Sequence, residues 1–248
     1  MKFKSIIILA LAFFVVSCGS KQEKETFTIN GVSFNMIYVQ VGTSQMGSNN
    51  SETQDHEMPD HSVTLSEYYI GETEVTQALW EAVMGNNPSR FNGSDKPVEN
   101  VSWEDCLEFV KKLNKLTGKN FSLPTEVEWK YAACGGNKSN GYKYSGSDNI
   151  DDVAWYGGNA SSTTHPVGTK SPNELGLYDM SGNVFEWCGY SRYRVSSLSS
   201  QTNLIGPVSS RGGSWRNSRV PGTGSSIHHS NRQLRRHDLG FRLVMLID

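Results

Sequence analysis

The strongest concentration of potential binding chemistry lies near the carboxyl end of the 248-residue chain, where arginines cluster. Seven of the ten arginines fall between Arg211 and Arg242, a stretch with a single acidic residue, Asp238. Guanidinium groups bind sulfated and carboxylated ligands through paired hydrogen bonds, so this tract predicts a surface for an anionic ligand. A solvated basic loop without a specific ligand is the open alternative. The candidate ligand-binding residues are Arg216, Arg219, His228, His229, Arg232, Arg235 and Arg236.

Thiol and imidazole chemistry has little support in the sequence. No cysteine follows Cys188, and no Cys-x-x-Cys pair or Cys/His cluster of the zinc type occurs. His228 and His229 are adjacent, so in an extended chain they would face opposite sides and could not easily share one ion. No Ser-His-Asp order with a nucleophile elbow is present, so no catalytic residue is predicted. An oxidising compartment would permit one disulfide and leave one thiol, without the sequence choosing the pair, among Cys106, Cys134 and Cys188.

The amino-terminal residues predict export and lipid anchoring. Lys2 and Lys4 precede an apolar run over residues 6–16, which is too short to span a bilayer, and Val15 to Gly19 have the pattern of a lipoprotein cleavage site around Cys18. The expected organisation is a signal peptide over residues 1–17, a lipidated tether over 18–26 and one domain over 27–248. The expected location is the bacterial cell envelope, with Cys18 lipidated in the outer membrane and either membrane face possible.

Composition places one β-rich domain after the tether. The formal charge is −2 and falls to −4 once Lys2 and Lys4 leave with the signal, so a general nucleic-acid binder is not expected. Asn30-Gly31 between apolar alternating runs predicts a hairpin, and residues 63–70 predict a further strand.

Three helices are predicted from their caps: 76–84 after Thr76, 102–116 after Ser102, and 125–133 after Thr125. The second helix should bury one apolar stripe, and regular structure becomes sparse after Gly135. The predicted class is therefore α+β, with few helices, short strands and much irregular loop. The residues of the stripe are Cys106, Phe109, Val110, Leu113 and Leu116.

Four motifs in order give the chain a family resemblance. Residues 123–129 read LPTEVEW, 175–188 read LGLYDMSGNVFEWC, 211–215 read RGGSW and 239–243 read LGFRL. Together they resemble the formylglycine-generating enzyme (sulfatase-modifying factor) family over roughly residues 30–246. This resemblance implies a variant of the C-type-lectin fold.

The resemblance also implies a metal site. In that family the loop over 179–186 binds a structural calcium ion, through side chains at the positions of Asp179 and Glu186 and carbonyls at those of Gly182 and Val184. Two carboxylates and two carbonyls suit a hard cation. A metal-free turn, in which both carboxylates accept from backbone amides, is the alternative. A second calcium site near Asn159 is expected to be lost, because the segment after it is shortened.

The catalytic chemistry of the family is not expected here. Its oxidases hold Cu(I) on a cysteine pair between the RGGSW and GFR motifs, where this chain has no sulfur ligand, so no copper is expected. The main hypothesis is a non-catalytic envelope lipoprotein that binds a ligand or serves assembly, with an anionic glycan or an envelope protein as partner. The alternatives are an enzyme of this type, or of the related iron-oxidase type, with an altered site, and the variable protein of a diversity-generating retroelement.

Overall fold

The computed structural model describes residues 22–46, 61–189, 208–220 and 228–247, and these form an α+β fold with few helices and many short strands. Within this part of the chain, strands form four sheets. They are β1 (Lys24–Ile29), β2 (Val32–Val39), β3 (Gly42–Met46), β4 (His61–Leu65), β5 (Tyr68–Gly71), β6 (Phe121–Ser122), β7 (Ala154–Trp155), β8 (Ser181–Gly182), β9 (Phe185–Trp187), β10 (Val208–Arg211), β11 (His228–Ser230), β12 (Leu239–Gly240) and β13 (Val244–Leu246).

The first hairpin is confirmed, and its turn explains why. Asn30 and Gly31 both have positive φ, 48° and 85°, and Ile29 pairs with Val32 across them. Both residue types tolerate this left-handed backbone, whose twist matches that of the flanking strands. The predicted strand over 63–70, in contrast, is two strands: β4 pairs with β3, whereas β5 pairs with β2 and β13.

The domain begins earlier than the predicted tether allowed. β1 starts at Lys24, so the last three residues of the predicted tether over 18–26 are strand. These polar residues are ordered by pairing rather than by burial: Lys24 pairs with Ile37 in register, and its Nζ donates to Glu72 at 2.8 Å. The proposed lipidation site, Cys18, lies outside the described residues.

The helices start and stop where the capping residues place them. Ser102 and Thr125 each accept from the amide three residues on, and Asp105 and Glu128 complete the reciprocal bonds of a capping box. The short fourth helix was not predicted from the sequence. The helices are α1 (Gln77–Met84), α2 (Trp103–Thr117), α3 (Glu126–Ala133) and α4 (Ile150–Val153), with one 3-10 turn over Gly136–Lys138.

The main core lies between α1, α2 and the five-stranded sheet, whose order is β1-β2-β5-β13-β6. Trp80 of α1 stacks on Phe109 of α2 with ring centroids 5.3 Å apart, and both meet the edge of Phe241. The predicted apolar stripe of α2 is buried except at its last residue, Leu116, which is 57% exposed. This helix therefore fixes the segment around Phe241, on which the site described below depends.

A second sheet of four strands, in the order β11-β10-β9-β12, carries the motif residues. Its central strand β9 pairs antiparallel with β10 and parallel with β12, so the segments 185–187, 208–211 and 239–240 lie side by side. No helix among the described residues is long and apolar enough to cross a membrane.

Candidate functional site

Several residues of the loop that leads into β9 have positive φ, and this backbone brings their polar groups close together. Asp179 and Asn183 have positive φ of 57° and 54°, and Gly182 has 91°. A Cβ on Gly182 would lie 2.4 Å from the carbonyl oxygen of Trp155, so only glycine fits there. This close approach brings the side chains of the loop into the buried centre of the domain.

Asn183 connects four separate segments from this loop. Its Oδ1 accepts from the amide of His165 at 3.0 Å, and its Nδ2 donates to Glu74 Oε2 at 2.8 Å. Its backbone amide donates to the Trp155 carbonyl, and its carbonyl accepts from the amide of Trp215. The other oxygen of Glu74 accepts from the amide of Val184 at 3.1 Å. The asparagine is fully buried, so these bonds replace all contact with water.

A fully buried ion pair lies at the centre of the same region. Arg242 donates from Nε to Glu186 Oε2 and from Nη2 to Oε1, both at 2.6 Å, and neither side chain is exposed. Trp129 Nε1 also donates to Oε2 at 2.6 Å. Nη1 of Arg242 donates to the carbonyl of Gly71, and Nη2 also donates to the carbonyl of Tyr178. Although burial opposes its charge, Glu186 raises the pKa of Arg242 above its ordinary value.

Acidic side chains outnumber the arginine in this cluster. Glu74, Asp179 and Glu186 are all buried around Arg242. Burial raises the pKa of Asp179 to about 6 and that of Glu74 well above its ordinary value, and in both cases a neighbouring carboxylate adds to the rise. Asp179 Oδ2 accepts from the amide of Gly168 at 2.7 Å, whereas its Oδ1 has no hydrogen-bond partner among the described residues.

The four predicted calcium ligands therefore fit a cation unequally. Asp179 offers a free oxygen beside an excess of negative charge, as a hard cation requires. Glu186 accepts from Arg242 on both oxygens, so a cation on it would stand close to a guanidinium. Gly182 and Val184 are buried on the same loop. Across the described ranges no group of three His, Cys, Asp or Glu side chains is arranged to hold a metal, so calcium stays a prediction.

Three of the predicted ligand-binding arginines make contacts within the fold. Arg235 donates from Nε and Nη2 to both oxygens of Asp105 at 2.8 Å, and Arg236 pairs in the same way with Asp238. The guanidinium of Arg232 lies 5.6 Å from the ring centroid of Trp103, whose amide donates to the Arg232 carbonyl. Arg232 and Arg235 thus fasten the segment 231–238 to the start of α2, whereas Arg236 bonds within that segment. Their role in ligand binding stays a prediction.

The other predicted residues of the tract divide into exposed and undescribed ones. Arg216 and Arg219 are exposed, between the buried Trp215 and Val220. His228 and His229 lie in β11, paired with Ser210 and Ser209 of β10, and their side chains are outside the described part of the chain.

A small buried polar group lies under this tract. Ser214 donates from its amide and from Oγ to Asn217 Oδ1, and its Oγ also lies 3.4 Å from Asp238 Oδ2. Asp238 in turn is paired with Arg236, and neither Ser214 nor Asp238 is exposed. The polar side chains of this group therefore bond to one another.

The structure adds residues that no motif marked. The loop between α1 and α2 places Phe91 against Trp215 and His237, at ring centroid distances of 5.4 Å and 6.0 Å. Arg90, beside Phe91, is exposed. No pattern in the sequence predicts this contact, because it joins segments more than 120 residues apart.

The three cysteines of the described domain are free. Cys106 and Cys188 are buried, where desolvation raises the pKa of each thiol well above its ordinary value, and Cys134 is half-buried. The single disulfide that the cysteine count permitted is absent among these residues.

A family model described as "Sulfatase-modifying factor enzyme 1-like domain" matches residues 23–247. Among curated proteins, the chain is 41% identical over 179 residues to "Chaperone protein LppX" of Paenibacillus barcinonensis, covering 52% of this chain and 64% of that protein. It is 32% identical over 129 residues to the formylglycine-generating enzyme of Thermomonospora curvata, covering 46% and 40%. The chain thus spans less than two thirds of these relatives.

Among solved structures, the fold is similar to Treponema denticola variable protein 1. The TM-score is 0.75 at 33% identity, and the match covers 90% of this chain and 98% of the other. Sequence and structure comparisons therefore agree with the resemblance carried by the motifs.

The buried ion pair should dominate the stability of the domain. Arg242→Met leaves Glu186 charged and unpaired, so we expect the free energy of unfolding to fall by about 3–5 kcal/mol. Lys24→Met, which breaks the exposed pair with Glu72, is the matched control and should cost less than about 1 kcal/mol. Denaturant titration measures both. Equal losses in the two variants would contradict a special role for the buried pair.

Calcium should stabilise the domain if the predicted site is correct. A ligand that binds only the native state adds about 2.7 kcal/mol at a hundredfold excess over its Kd. We therefore expect a higher Tm in calcium than in chelator, and no calcium response in Asp179→Asn. Glu108→Gln, at an exposed acid of α2, should respond like the wild type. An unchanged wild-type Tm, or an equal response in Asp179→Asn, would rule the site out.

Proposed function

The chain belongs to the sulfatase-modifying factor enzyme 1-like domain family, and we propose that it is a non-catalytic member that binds an anionic ligand at the cell envelope. The residues between the RGGSW and GFR motifs carry this proposal. Cu(I) requires soft thiolate ligands, and no cysteine follows Cys188. Near this tract Ser214 bonds to both Asn217 and Asp238, and Asp238 pairs with Arg236.

The exposed arginines supply the binding chemistry. Arg216 and Arg219 point to a ligand because they are exposed on a segment whose flanking residues, Trp215 and Val220, are fixed in the interior. An exposed guanidinium on a fixed base can bind a carboxylate or sulfate through two hydrogen bonds without first ordering its own loop. This single arrangement, two exposed arginines between buried residues, favours an anionic partner.

Two of the named relatives have names that do not describe an enzyme, whereas the Thermomonospora curvata relative is named a formylglycine-generating enzyme. Treponema denticola variable protein 1, with 33% identity, is named for variation, and the Paenibacillus relative with 41% identity is named a chaperone. A second candidate function is therefore assistance to another envelope protein, in which an acidic protein face is the anionic partner. Binding of a glycan and binding of a protein make different demands on the surface.

The predicted location completes the proposal. We infer that Cys18 carries lipid and holds the domain on a membrane of the envelope, the outer membrane being the expected one. The short apolar run and the residues around Cys18 support this, as does the start of the folded domain close after it.

Ligand binding should depend on the two exposed arginines. We expect the double variant Arg216→Gln/Arg219→Gln to lose most affinity for a heparin hexasaccharide while keeping the wild-type Tm. The matched control Arg235→Gln breaks the pair with Asp105 and should lower the Tm with a smaller effect on affinity. Titration at increasing sodium chloride is the measurement, since exposed charges are screened at about 8–10 Å in ordinary buffers. Full affinity in the double variant, or insensitivity to salt, would refute the proposed surface.

Membrane attachment should depend on Cys18. The wild type should sediment with membranes after cell lysis, and Cys18→Ala should be lost from that fraction. Cys134→Ala, which changes a half-buried cysteine of the domain, serves as the control and should remain in the membrane fraction. Quantitative retention of Cys18→Ala in membranes would contradict the anchor.

A further inference from the structure

A half-buried aromatic ring, Phe91, packs against Trp215, the residue before the exposed Arg216. The Phe91 ring meets the Trp215 ring edge-on at 5.4 Å and an interplanar angle of 88°, and it also meets His237. Trp215 is 7% exposed and donates from Nε1 to the His237 carbonyl at 3.1 Å, so it forms a fixed base. Phe91 itself is half-buried, which leaves part of a ring open to solvent.

Two cations lie next to that ring. The guanidinium carbon of Arg90 is 5.6 Å and Lys96 Nζ 6.0 Å from the ring centroid. Lys96 Nζ donates to the neutral Thr163 Oγ1 at 3.3 Å. Two cations beside one ring give this part of the surface a positive potential, which favours an anion.

The loop that carries these groups is built to be rigid. The buried Gln77 donates from Nε2 to the carbonyls of Phe91 and Pro97, and its Oε1 accepts from the Gly93 amide and from Asn87. Each bond fixes a loop without regular structure to helix α1. Preorganisation of this kind reduces the conformational entropy that the loop would lose on binding a ligand.

A buried acceptor beneath the loop lacks a partner. Glu99 Oε1 accepts from the Phe91 amide at 2.8 Å, but Oε2 has no hydrogen-bond partner in the described structure although the side chain is fully buried. Because this oxygen is closed to solvent, a ligand on the surface does not reach it. The bond from the Phe91 amide to Oε1 adds to the support of the loop.

We propose that the surface of Arg90, Phe91, Lys96, Trp215 and Arg216 binds an anionic sugar, a sulfated or uronic-acid ring. A half-buried aromatic ring and two cations match two features of such a ligand: its apolar C–H groups and its acidic group. An acidic peptide would use the cations without the ring. The assignment rests on the proposed function and adds its ligand class.

The test compares three probes on the full chain in detergent: a heparin hexasaccharide, an uncharged dextran oligosaccharide and polyglutamate. We expect the hexasaccharide to bind best, and Phe91→Ala to weaken it roughly tenfold while leaving polyglutamate binding unchanged. Arg90→Gln/Lys96→Gln should weaken both anionic probes. Tyr142→Ala, at an aromatic residue that is 40% exposed elsewhere, is the matched control and should bind as the wild type. Phe91→Leu keeps an apolar side chain and guards against a loss of folding, which thermal melting reports.

The outcomes separate this assignment from the proposed function. If the wild type binds neither anionic probe, both are overturned. If binding requires Arg216 but survives Phe91→Ala and Phe91→Leu unchanged in folded protein, the sugar assignment is overturned and the anion-binding function stands. Preference for polyglutamate over the hexasaccharide would also overturn it, in favour of an acidic protein partner.

Discussion

The pairing of Glu186 with Arg242 is the interaction on which the rest of the domain depends. Both charges are removed from water, and an ion pair at this depth is tolerated only when every remaining donor and acceptor is also satisfied. The requirement reaches into four segments, because the carboxylate also accepts from Trp129 and the guanidinium also donates to the carbonyls of Gly71 and Tyr178. The end of β5, helix α3, the loop before β8 and the last strands are thereby held at fixed distances.

The same principle explains how so much irregular chain stays ordered. Between α3 and β8 there is little sheet to satisfy the backbone, and side-chain amides do this work instead. Asn173 donates to the carbonyl of Ala132 and accepts from the amides of Leu175 and Leu177, while Asn183 connects four other segments. Polar residues in this fold are therefore as much a part of its interior as the tryptophans.

Sequence reasoning succeeded where the cause is local and failed where it is distant. The hairpin at Asn30-Gly31 and the capping boxes at Ser102 and Thr125 depend on neighbours within a few residues, and the structure has them all. The arginine tract could not be interpreted in this way. Arg235 pairs with Asp105, which lies 130 residues earlier, and no pattern in either segment predicts this contact. The motif residues Asp179 and Glu186 do converge, but the third acid, Glu74, comes from a segment that no spacing connects to them.

The early start of β1 gives the domain an orientation. The chain is already fixed at Gln22, whose carbonyl accepts from the hydroxyl of Tyr69, so only three residues separate it from Cys18. Four virtual bonds of 3.8 Å reach about 15 Å at most. With lipid on Cys18, the part of the domain around Gln22 and Tyr69 would therefore lie close to the bilayer, and a ligand would have to come within reach of that membrane to bind.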